Sequence, residues 1–299
     1  MILVAGSANL DFVVRASHIP APGETVLGRE FRTFPGGKGA NQAIACARAG
    51  GCATEMLLAV GNDSFAVPIE ESLNAAGVRM HVVRVKNEST GTAFICVSDN
   101  AENAITVAPG ANSHLRASHL PSLDGVTHLL LQLEIPIEAV TAYAQAAHSR
   151  GVKVVLNAAP ARALSHDLLS VLDVLVVNKG ELGVVAGHGG SIEQCLERID
   201  VPCVVVTLGA RGCCARIAGD LIMQGAFAVI PVDTTAAGDA FCDVLVAGLS
   251  RDMGLPDALR QANAAGALAC TRPGAQSSIP THAELQSFLR NHGGSARVS

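Results

Sequence analysis

The chain has 299 residues, enough for a large core built as one big domain or as one domain with an appendage. Hydrophobic residues make up 49% and charged residues 16%, a balance that suits a compact soluble protein and excludes a disordered one. The formal net charge of -5 argues against a nucleic-acid surface, and no apolar run approaches the roughly 20 residues of a membrane span.

Ile2 to Ala5 is a short apolar β run without a basic leader before it, so no signal peptide is expected. The nine cysteines are odd in number, scattered and free of Cys-x-x-Cys pairs. They read as reduced thiols in a cytoplasmic protein. Asn9 and Asp11 follow the first run, spaced to share one face of a strand. They either turn the chain or bind something rich in hydroxyls. Residues 13–34 are broken by Pro20, Pro22 and Gly23 into two β-like pieces, Thr25 to Leu27 and Glu30 to Phe34. Residues 89–108 have a hairpin pattern around the polar turn at 99–103. The two segments are expected to form a β lid over a ligand site, or else are ordinary edge hairpins. The main domain then comprises 1–12, 35–88 and 109–299.

Gly36-Gly37-Lys38-Gly39-Ala40-Asn41-Gln42 is a glycine-rich loop that opens a helix, Ala40 to Ala49. It is not a Walker loop, because Arg32 and Gly39 occupy the places of the first glycine and the Ser/Thr. Nor is it a dinucleotide fingerprint, because Gln42 stands where the last glycine should be.

From Thr54 the pattern is mostly strand then helix. Strands are expected at Thr54 to Val60, His128 to Gln132, Val152 to Leu156, Val174 to Asn178 and Cys203 to Leu208. Helices are expected at Asp63 to Ala76, Ile137 to Arg150 and Leu255 to Thr271. Apolar runs without alternation mark strands buried on both faces, so the fold class is α/β, a doubly wound and mostly parallel sheet. Ser191 with Gln194 and Thr281 with Glu284 have the capping-box spacing. Several strands end on polar groups: Gln132 and Glu134, Asn157, Asn178 with Glu181, and Thr207. Each alone reads as a helix cap; together they suggest one site along a sheet edge.

Asp233-Thr234-Thr235-Ala236-Ala237-Gly238-Asp239 follows a β-like piece, Phe227 to Ile230, and precedes a small, apolar helical run. The first N–H groups of such a helix make an anion site. Asp239 is then either a favourable first-turn residue or a base that takes a proton from an attacking hydroxyl. Asp233 either stabilises the loop or helps hold a cation. Ten histidines carry no His-Glu-x-x-His spacing, and there is no Gly-x-Ser-x-Gly elbow, so zinc and triad hydrolases are unlikely readings.

These two signatures, with Ser89-Thr90-Gly91, Gly110-Ala111-Asn112 and Gln132-Leu133-Glu134, resemble the ribokinase-like branch of the PfkB family of carbohydrate kinases over nearly the whole chain. The resemblance implies a ribokinase-like fold with a small β-sheet lid. It implies transfer of the γ-phosphoryl of ATP to the 5-hydroxyl of D-ribose, with Asp239 as base and the N–H groups of Ala236, Ala237 and Gly238 holding the anion. Asn9, Asp11, Gly37, Lys38, Asn41 and Glu134 would hold the sugar. Asn178, Thr207, Gly209, Gly212, Gly238 and Asn263 would line the nucleotide, and Glu181 would organise Mg2+ through water. Asp233, Thr235, Ala269, Arg272, Gly274 and Ser278 would enclose K+. A lone small sheet is marginal in water, so two lids are expected to pack together in a homodimer. Departures from the family pattern are Ala158, where Pro is more usual, and Lys179-Gly180 before Glu181. The rival readings are a kinase for deoxyribose, fructose or a nucleoside, and a sugar-binding sensor that has lost catalysis.

Overall fold

The computed structural model describes residues 1–100 and 102–292. The tail expected to fray, 293–299, lies outside the described residues, as does Ala101 in the 99–103 turn. The elements in order are β1 (Ile2–Ala5), β2 (Asn9–Arg15), β3 (Glu30–Gly36), α1 (Lys38–Arg48), β4 (Thr54–Gly61), α2 (Ala66–Ala75), β5 (Arg79–Val85), β6 (Gly91–Val97) and β7 (Asn103–Ala108). Then come β8 (His128–Leu131), α3 (Ile137–His148), β9 (Lys153–Asn157), α4 (His166–Leu169), β10 (Val174–Asn178), α5 (Lys179–Ala186) and α6 (Ile192–Leu196). The chain continues through β11 (Cys203–Thr207), β12 (Cys213–Ile217), β13 (Asp220–Gln224), α7 (Ala237–Leu249), α8 (Leu255–Cys270) and α9 (His282–Asn291).

The large sheet runs β13-β12-β11-β10-β9-β8-β1-β4-β5 and is parallel from β11 to β5. Its strands are buried on both faces, which is why they lack alternation. Ile2 and Val4 pack with α1, α2, α7, α8 and α9, whereas Leu3 and Ala5 pack with α3 to α6. Cys213 and Cys214 likewise point to opposite faces of β12. Both capping boxes, at Ser191 and Thr281, are formed.

A second sheet of order β3-β2-β6-β7 stands apart from the large one. Its register puts Asn9, Asp11, Val13, Ala93, Ile95, Ile105 and Val107 on one face. Phe12, Phe31 and Phe94 lie on the other, where Phe12 stacks on Phe94 at 5.4 Å and meets Phe65 edge-on.

Two local expectations fail. Phe227 to Ile230 is not a strand: Phe227 is buried against Phe288, while Ile230 is 87% exposed and has no ladder. Thr25 to Leu27 is loop, with Leu27 fully in solvent. The helix that carries Asp239 runs Ala237–Leu249, entered from Ala236 in the left-handed region at φ 58, so Asp239 lies in its first turn as the sequence predicts. Sequence reading also missed β5, β12 and β13, whose interspersed polar residues belong to strands near the sheet edges.

Candidate active site

The carboxyl ends of β1 and β8 carry the first part of the site. After β1, Ser7 donates its hydroxyl to Glu134 Oε2 at 2.5 Å, and the Lys38 backbone N–H reaches the same oxygen at 3.1 Å. Gly37 needs its positive φ of 89 to start α1 there, and a Cβ on it would lie 2.8 Å from Asn9 N. Asn112 grips Ala8 through both amide groups and donates to Asn9 Oδ1 at 2.8 Å, so Asn9 is buried in one orientation. Asp11 follows on the same face of β2, packed so closely on Gly36 that any Cβ there would collide with its carboxylate. Burial, reinforced by the nearby charge of Glu134, pushes Asp11 up to about 7.

Asp239 joins these groups from the other half of the chain. It is 7% exposed and accepts from Gln42 Nε2 at 3.0 Å and Asn41 Nδ2 at 3.4 Å. Ala236 caps α7 in the left-handed region, and Ala237 N–H makes a 3.3 Å bond to Thr234 O. The N–H groups of Ala236, Gly238 and Asp239 have no acceptor among the described residues. Orphan donors at the positive end of a 13-residue helix have the chemistry to receive an anion. The charge of Asp239, and after it those of Glu134 and Glu181, raises the Lys38 ammonium above its ordinary value against the opposing pull of burial. Lys38 thus stays cationic at the centre of three carboxylates.

On the expected nucleotide side the picture divides. Gly209 has a positive φ of 59 and open space where a Cβ would be. Thr207 ends β11 with its hydroxyl 3.5 Å from Val177 O. Asn178 and Glu181 form a capping box on α5, with bonds of 2.9 and 2.7 Å, so the helix-cap reading holds for both. Burial nonetheless raises Glu181 above the usual carboxylate range. Gly212 is explained by the chain itself, since a Cβ would lie 2.7 Å from Ala226 N. Asn263 is buried and turned to Cys213 Sγ and Gln224 O, at 3.3 and 3.4 Å.

The loop at 272–278 meets the start of the anion turn. Val232 and Asp233 donate backbone N–H groups to Cys270 O, and Gly274 donates to Asp233 Oδ2. Burial pulls the Asp233 carboxyl up, but hydrogen bonds from the Thr235 side chain and from the Gly274 and Thr235 backbone outweigh it and hold it low. No described residue donates to the carbonyls of Thr235, Arg272 or Gly274, a donor set of oxygens that suits a weakly hydrated cation. Ser278 is fully buried beside them. The Ala269 carbonyl is already engaged by the end of α8, and the Arg272 guanidinium is taken by Glu284 at 2.6 Å. Among the described residues no cluster of three or more His, Cys, Asp or Glu side chains could hold a metal ion.

The model of the pfkB family of carbohydrate kinases matches residues 1–282. The chain belongs to that family. The ribokinase of Haemophilus influenzae is 37% identical over 302 residues, covering 97% of this chain and 98% of its own. The crystal structure of the Thermotoga maritima ribokinase superposes with a TM-score of 0.89 at 34% identity, covering 97% of this chain and 99% of that one. That of the Arabidopsis thaliana ribokinase complexed with ribose and ATP gives 0.87 at 31%, covering 97% and 98%.

Two residues at the site of this pfkB-family chain escaped the sequence reading. Ser7, just past β1, drew no assignment from the sequence, and Gln42 served only to rule out a dinucleotide fingerprint. Their only sequence signal is that both are polar where the small, apolar neighbours predict burial. No helix among the described residues is long and apolar enough to cross a membrane.

Proposed function

We propose that this pfkB-family kinase transfers the γ-phosphoryl group of ATP to the 5-hydroxyl of D-ribose. The observation that carries the reading is the convergence on Asp239. A buried carboxylate in the first turn of α7 stands beside unpaired N–H groups and is held by two amides of α1. In this reading Asn9, Asp11, Gly37, Lys38, Asn41 and Glu134 hold the sugar. Asp239 takes the proton of the attacking hydroxyl. The N–H groups at Ala236, Ala237 and Gly238, with that of Asp239, take up charge on the phosphoryl group as it transfers. Asn178, Thr207 and Gly209 border the nucleotide. Gly212 and Asn263 act there only through the backbone they shape.

Mg2+ organised through water by Glu181, and K+ held by Asp233 with the carbonyls at Thr235, Arg272, Gly274 and Ser278, would neutralise phosphate charge and order the anion turn. The small sheet, residues 13–34 with 89–108, acts as the lid, and closure excludes water from the transfer. Phe31, Phe94 and Ile105 are each more than half exposed on it. Apolar exposure of that size on a small sheet supports a homodimer that pairs the two lids. The nine free cysteines, most of them buried, support a reducing, cytoplasmic setting.

The test is ADP release over a panel of D-ribose, deoxyribose, fructose and nucleosides. D-ribose should give the highest kcat/KM. A higher value for another sugar or a nucleoside would replace the substrate and leave the family standing.

A further inference from the structure

Gln42 lies in α1 and Gln132 just beyond β8, and both are completely buried. Gln42 donates Nε2 to Asp239 Oδ1 at 3.0 Å. Gln132 in turn donates Nε2 to Gln42 Oε1. Burying two primary amides costs free energy unless their groups are used. Here their order is forced from one end. An ionised carboxylate only accepts, so Gln42 must present its NH2 group to Asp239 and turn its oxygen away. That oxygen needs a donor, and Gln132 supplies it. The Gln132 oxygen is then left at Gly6, buried and without a partner among the described residues, where any Cβ on residue 6 would collide with it.

We infer that Gln42 and Gln132 are positioning residues: a two-amide relay, anchored at the end of β8, that aims the Asp239 carboxylate at the sugar hydroxyl. The inference rests on Asp239 being the base. The relay joins three segments distant in sequence, the strand edge, α1 and α7, so the carboxylate is fixed by the sheet and not by its own helix alone. A base displaced by about 1 Å can lose on the order of 100-fold in rate. Both amides are fully buried, Gln42 bonded to Asp239 and the two to each other, and neither is among the groups assigned to the sugar, so their loss should fall on kcat and spare KM.

The experiment measures kcat and ribose KM for Gln42→Met, Gln132→Met, the double variant, and each in an Asp239→Asn background. Gln42→Met keeps the length and removes the donor. It should lower kcat by roughly 10- to 100-fold, the worth of a hydrogen bond to a charged group, with KM within about twofold. Gln132→Met frees the Gln42 amide to rotate and should cost less, roughly three- to tenfold. The double variant should be no worse than Gln42→Met, since the second link is useless without the first. Neither change should slow Asp239→Asn further. Parental kcat in Gln42→Met beside an inactive Asp239→Asn overturns the relay, as do losses that multiply in the double variant. An Asp239→Asn that turns over normally removes the base assignment, and the relay with it. Should Gln42→Met not fold, Gln132→Met and Gly6→Ala decide by the same kcat loss at constant KM.

Discussion

The backbone N–H of Gly274 donates to Asp233 Oδ2 at 2.9 Å, across 41 positions of sequence. The bond pins the loop after α8 to the first residue of the anion turn. Nearby, the carbonyls of Thr235, Arg272 and Gly274 have no donor among the described residues. In the proposed reading, filling that set orders the turn that takes the phosphoryl group. Potassium is therefore expected to raise kcat well above the value in sodium or a bulky organic cation. Asp233→Ala should abolish the difference. Equal rates in all three salts would show that the carbonyls serve only the loop.

Removing the proton acceptor should be costly without emptying the site. Asp239→Asn keeps the size and both amide neighbours, so ribose and ATP should still bind by calorimetry. Turnover should fall by roughly 10²–10⁴-fold, the range for positioned acid–base catalysis. Asp124→Asn, in an exposed loop, should leave turnover unchanged. Near-normal turnover in Asp239→Asn would refute the base assignment.

If Asp11 holds the sugar as proposed, ribose binding should depend on pH. Its carboxyl is pushed up to about 7 by burial and by Glu134. Above that pH it is ionised and offers acceptor oxygens only; below it, it gains a proton and loses an acceptor site. Ribose KM should therefore rise as pH falls through about 7. Asp11→Asn should raise KM at high pH and flatten the profile. A KM profile in Asp11→Asn that still bends near the same pH would assign the titration to another group.

Asp243, one turn beyond Asp239 in α7, is completely buried, and neither of its carboxylate oxygens has a partner among the described residues. Burial, and then the charge of Asp239, hold it well above the ordinary carboxylate range. The folded chain thus keeps a proton that the unfolded chain releases above about pH 4. Stability should fall as pH rises from there, by up to about 1.4 kcal/mol per pH unit, until the folded-state carboxyl itself titrates. Asp243→Asn removes that slope. Its melting temperature should exceed the parent's by more at pH 8 than at pH 5. A gap that does not widen with pH would mean Asp243 has a partner in solution.

Much of the fold was legible because its causes are local. The runs at Ile2, Leu129, Val154, Val174 and Val204 lack alternation because helices cover both faces of the sheet. The boxes at Ser191 and Thr281 need only the residues within one turn. Phe227 to Ile230 misled for the complementary reason. Its side chains have β character, but Phe227 is spent on Phe288, and among the described residues no strand bonds its backbone.

The residue types of the site could be read one dimension at a time. A glycine-rich loop, a small-residue turn and polar strand ends each announce themselves by spacing. The sequence by itself thus determined which groups were available: an Asp at a helix start, amides in a glycine-rich helix and an acid after a strand. Only the tertiary structure decided that Gln42 meets Asp239 across 197 positions, that Ser7 meets Glu134 across 127, and that Asn263 faces the protein. Those pairings depend on sheet order and helix packing, which bring together residues with no local interaction to mark them. A hydrogen bond acts over about 3 Å. Which amide comes within that reach of which carboxylate is settled by the packing of α1 and α7 on a shared sheet.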